Sequence, residues 1–136
     1  MRSHITLDFE KAAAAFYANL IAELPELAQK FHSIHTQKAM FISALRSIDT
    51  HADDQGHLRD YLEMLGRKHV GFGITEHHMT VGWRAFRAAL ETSAPQLSDT
   101  EKALYLNAYQ ELVQAMGFSI DVGEGHSGAG TALAAQ

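Results

Sequence analysis

Apolar residues recur three and four positions apart along most of the chain, and only two prolines, Pro25 and Pro95, interrupt the pattern. That period belongs to helices with one buried stripe, whereas a half-buried strand alternates at every second residue. No segment alternates over a useful length, so the spacing predicts an all-α fold of five or six unequal helices. Phe9, Ala12, Ala13, Phe16, Leu20 and Ile21 mark a first helix over about 7–23, with Thr6 or Asp8 as its N-cap. Pro25 opens a short helical piece ending near Phe31, and Phe41, Ala44, Leu45 and Ile48 give a helix over about 37–49, ended by the polar run Asp49 to Gly56. Leu58, Leu62, Leu65 and His69 share one face of a helix over about 57–69, closed by Gly71 and Gly73. Met79, Trp83, Phe86 and Leu90 mark a helix over about 76–92. A Ser98–Glu101 capping box starts the last one, about 99–118, whose stripe is Tyr105, Tyr109, Leu112, Val113 and Met116.

A chain of 136 residues with 46% hydrophobic and 20% charged side chains is expected to fold around one core. The expected domain is residues 1–118; residues 119–136, where glycine and small residues replace any apolar face, read as a flexible tail. The formal charge of -5 and the lack of a basic block argue against nucleic acid as a partner. No apolar run is long enough to span a membrane and no secretory signal is visible, so the expected location is cytoplasmic. Zero cysteines exclude disulfides, thiolate nucleophiles, Cys-ligated zinc and iron–sulfur clusters.

Nine histidines are the anomaly, because imidazole titrates near neutral pH and ligates transition metals as a neutral base. His69 stands out: an apolar helix face is a costly place for an imidazole without a partner. Spacing alone leaves two readings, a hydrogen-bonded core histidine and a metal ligand. His32 with His35 and His77 with His78 read as solvated surface, and Asp53, Asp54 and Glu76 as solvated loop charge, since EF-hand spacing is missing. The metalloprotease, P-loop, dinucleotide and nucleophile-elbow patterns are all absent.

Taken in order, FYANLIAELPELAQKF, a glutamine six residues later, LGRKHVGFGI and HHMTVG resemble the globin family, specifically its bacterial single-domain branch related to the haem domain of flavohaemoglobins. The resemblance covers about residues 12–116 and centres on LGRKH. It implies a globin-like helical fold with a shortened or missing helix A, holding haem b (iron protoporphyrin IX). His69 is then the proximal ligand, bonding the iron through its neutral Nε2, and Phe31 is the phenylalanine that wedges against the porphyrin. By the same resemblance Phe72 and Met79 belong to the proximal haem wall, Leu65 is a further cofactor contact and Phe41 narrows the distal cavity. Tyr17 and Gln37 match the distal donors, whose hydroxyl and amide would hydrogen-bond the partial negative charge on bound dioxygen.

The resemblance therefore implies reversible binding of dioxygen and other diatomic gases. Its rivals are nitric-oxide dioxygenation, which in a chain this short needs a separate reductase, and a globin-like sensor or interaction module. Two departures weaken the enzymatic rival. His78 stands where that branch commonly has a tyrosine, and Ile120 falls where it has a glutamate, the pair that helps polarise the proximal histidine. The short front end leaves apolar helix faces that a homodimer would cover.

Overall fold

A computed structural model of the chain describes residues 8–31 and 33–120. They form six helices: α1 (Phe9–Glu23), α2 (Leu27–Lys30), α3 (Ile34–Thr50), α4 (Gln55–Gly71), α5 (Glu76–Ser93) and α6 (Asp99–Ala115). Among the described residues there is no strand, as the periodicity predicts. No described helix is long and apolar enough to cross a membrane. The alternative cap Thr6, His32 and all but the first two residues of the 119–136 segment lie outside the described residues.

Each long helix starts where a short polar side chain satisfies backbone N–H groups that have no intrahelical partner. Asp8 accepts from the Lys11 N–H at 3.1 Å, Ser33 from Thr36 at 3.2 Å and Asp54 from His57 at 3.2 Å. Ser98 and Glu101 close the expected capping box, with contacts of 3.1 and 2.9 Å. Ser98→Ala is expected to lower stability by about 1 kcal/mol, read from the midpoint of a urea melt followed by circular dichroism.

Two helix ends differ in register from the sequence reading. Helix α3 begins at Ile34, not near Gln37, because Ser33 caps a first turn that carries no apolar stripe and so leaves no periodic signal. The last helix stops at Ala115, not near 118, because Gly117 takes a left-handed φ of 84° and the chain turns back. There the Phe118 N–H reaches the Val113 carbonyl at 3.1 Å and the Gly117 N–H reaches Gln114 at 2.9 Å, a Schellman end. Ile120 therefore lies beyond α6.

α1 packs against α5 and α3, and α4 against α6, around a core that includes Leu27, Leu45, Leu62, Leu90, Tyr105 and Val113. A cavity of about 440 Å³ opens between the helices and is lined by residues from all six. Lining residues Lys30, Thr36, Met40, Lys68 and Phe72 are also solvent-exposed, so they mark its mouth.

Candidate functional site

α4 carries His69 into the cavity wall, and the way that helix ends fixes the residue in place. Gly73 adopts φ 78°, the Ile74 N–H donates to the His69 carbonyl at 3.2 Å and the Gly73 N–H donates to Val70 at 3.0 Å. This is a second Schellman end, and it locks the turn that bears the imidazole. Gly73→Ala is expected to cost about 1–2 kcal/mol, because any Cβ is strained in the left-handed region; comparison of melts with the parent protein checks it.

The imidazole is oriented as well as placed. His69 Nδ1 lies 2.8 Å from the Leu65 carbonyl oxygen. A carbonyl can only accept, so Nδ1 carries the proton and the neutral ring keeps its lone pair at Nε2. Burial holds the His69 pKa below its ordinary value of 6.5, against the opposing pull of the Leu65 bond. The folded state thus prefers the neutral, ligating form.

The sign of the pH dependence follows. Below 6.5 the unfolded chain takes up a proton at His69 that the native state resists. The native state's advantage from this group is complete above that value and shrinks as the pH falls through it toward the lowered native pKa. His78, also lowered by burial, acts in the same direction. For haem-free protein we expect a lower urea midpoint at about pH 5.5 than at about pH 7.5, with a shallower dependence in His69→Leu.

From α1, Tyr17 reaches the same cavity and donates to the Gln37 backbone carbonyl at 3.3 Å. Burial raises its pKa far above the ordinary tyrosine value, so the hydroxyl stays protonated and remains a donor. Gln37 sits one turn into α3 and is also part of the cavity lining. Around these polar groups the lining is aromatic. Phe41 stacks on Phe16 with centroids 4.5 Å apart, and meets the Tyr17 ring edge-on at 5.7 Å. Phe31 meets Tyr17 edge-on, also at 5.7 Å.

Tyr17, Phe31, Gln37, Phe41, Leu65, His69, Phe72 and Met79, all selected from the sequence, line this one cavity. Phe72 does so from the mouth and is 65% exposed. Phe16, Phe86 and Tyr109, which read simply as core from the sequence, also line the cavity. His78, read as solvated surface, is partly exposed but belongs to the lining as well, and its Nδ1 accepts from the Thr75 N–H at 3.0 Å in a reciprocal cap at the start of α5. The signal was Thr75 followed three residues later by a side chain able to accept. His77 and His35 are exposed and do not line the cavity, and Glu76 accepts from the Ser119 N–H at 2.8 Å.

No group of three or more His, Asp or Glu side chains among the described residues is placed to hold a metal ion. A lone imidazole cannot retain a bare cation, so a metal at His69 must bring most of its ligands with it. An apolar cavity within the ~300–1,000 Å³ range of small-molecule pockets, carrying one available imidazole nitrogen, fits a metal held in a flat apolar macrocycle. The globin family model matches residues 14–116, from within α1 to just past α6. No curated protein matches the sequence.

Proposed function

This chain belongs to the globin family, a haem-binding family, and from that premise we propose that it is a haem-b protein binding dioxygen and other diatomic gases reversibly. The observation that supports this most is the pairing, in one apolar cavity, of an imidazole whose Nε2 is left available with a buried hydroxyl donor from another helix.

His69 would hold the iron through Nε2, while Phe31, Leu65 and Met79 would press on the macrocycle and Phe72 would cover its edge at the mouth. When bound, the ferrous centre supplies a coordination position for a diatomic gas. The side chains decide how long the gas stays. The Tyr17 bond to Gln37 is long at 3.3 Å, so the hydroxyl can turn to a nearby partial negative charge at little cost. The Gln37 amide offers a second donor from the same wall. Phe16, Phe41 and Phe86 keep water away, which strengthens both interactions and protects the ferrous state.

The partner of His69 favours reversible binding over turnover. Its Nδ1–H is satisfied by the neutral Leu65 carbonyl and not by a carboxylate, which would make the imidazole a stronger electron donor. Titration of haem-free protein with haemin tests the proposal. We expect a Soret band saturating at one haemin per chain and a ferrous form that binds carbon monoxide and dioxygen reversibly. Haemin that stays spectrally free sinks it.

A further inference from the structure

The proposed gas site leaves open what limits the size of its ligand. We propose that Tyr109, seated in a notch at Gly82, forms the inner wall of the cavity and is the residue that excludes ligands bulkier than a diatomic. The inference rests on the haem-globin reading for its ligand class, but its geometry stands on the packing alone.

Tyr109 reaches the cavity from α6. Its hydroxyl donates to the Met79 carbonyl of α5 at 2.8 Å, and Met79 is itself a wall residue. The bond exists only because position 82 has no side chain: a Cβ there would lie 2.4 Å from the Tyr109 hydroxyl oxygen, but 3.6 Å, ordinary contact, from the ring carbon that bears it. The ring is also gripped from α5. It stacks on Phe86 with centroids 5.4 Å apart and lies 5.6 Å from Trp83. Phe86 in turn meets the Phe16 and Phe41 rings edge-on at 6.2 and 5.9 Å. A leucine or methionine in that place could swing aside; a ring stacked on Phe86 and lying against Trp83 cannot, and the hydroxyl bond adds only the position of its tip. Burial pushes its pKa well up, so the anchoring proton is not lost at any ordinary pH. Ala108, its small neighbour in the same wall, offers nothing to replace the ring if it is removed.

The test uses the full chain reconstituted with haemin and reduced, and reads the affinity for n-butyl isocyanide relative to carbon monoxide. Tyr109→Ala is expected to raise that ratio about tenfold or more, in line with the selectivity that even small volume changes confer on an apolar pocket. Tyr109→Phe keeps the ring and should leave the ratio unchanged. Gly82→Ala displaces the ring and raises the ratio, and Gly82→Ala combined with Tyr109→Phe restores it, because the clash is with the hydroxyl alone. A ratio unmoved by Tyr109→Ala in protein that binds carbon monoxide normally overturns the proposal. Should Tyr109→Ala fail to fold, equal ratios in Gly82→Ala and the double variant overturn it equally. Xenon binding to the haem-free chain, followed by NMR, separates this inference from the haem reading: an additional saturable site in Tyr109→Ala and not in Tyr109→Phe supports it, and no additional site overturns it whatever the result with haemin.

Discussion

His69→Ala protein is expected to bind haemin at least ~100-fold more weakly than the parent, exceeding the 10–100-fold typical of changes to groups that merely support a ligand. The reason is that His78, the other imidazole in the described lining, accepts from the Thr75 N–H through Nδ1 and so carries its own proton at Nε2, leaving His69 as the ring with an available Nε2 lone pair. The loss should come without unfolding. Truncation removes the ring's bond to the Leu65 carbonyl, but that oxygen is a helical acceptor that keeps its backbone partner, so no buried polar group is orphaned. Circular dichroism of the haem-free variant should therefore match the parent while haemin titration shows the deficit. Equal affinity would remove His69 from the site.

Tyr17→Phe is expected to speed dioxygen release by about 10–100-fold, while carbon monoxide release changes much less. The gap arises because a hydrogen bond to a charge-bearing acceptor is worth about 1.5–3 kcal/mol, and each 1.4 kcal/mol is a factor of ten. Carbon monoxide bears little negative charge and gains little from the hydroxyl. The fold should tolerate the change, since the bond lost to the Gln37 carbonyl is long and the ring contacts with Phe16, Phe31 and Phe41 remain. Stopped-flow release of each gas checks it, and equal acceleration of both would assign Tyr17 a packing role only.

The helices were legible wherever a long apolar stripe marks them. α1, α4 and α5 fall within two residues of the expected bounds, because Phe9, Leu58 and Met79 sit at or near the start of their stripes. The ends that moved are set by local chemistry which periodicity does not register: Ser33 capping a polar first turn, and Gly117 turning the chain back after α6. At the site, the residues reached through the family resemblance proved to be neighbours because they hang from different helices on one cavity. What stayed hidden was the second role of residues that also look like core. Nothing in the spacing of Phe86 or Tyr109 tells a cavity wall from a filled interior, since both require a buried aromatic at helical spacing. The part His78 plays in the lining is hidden because an adjacent pair of histidines points in two directions on a helix, and nothing in their spacing says which of the two meets the cavity.

The proposed haem site depends on a bond between iron and the Nε2 atom of His69. Resonance Raman spectroscopy of the ferrous, gas-free protein examines it most directly. The prediction is an iron–imidazole stretching band that shifts when the histidines carry ¹⁵N, vanishes in His69→Gly, and returns when free imidazole is added to that variant. A band that persists unaltered in His69→Gly without imidazole would contradict it.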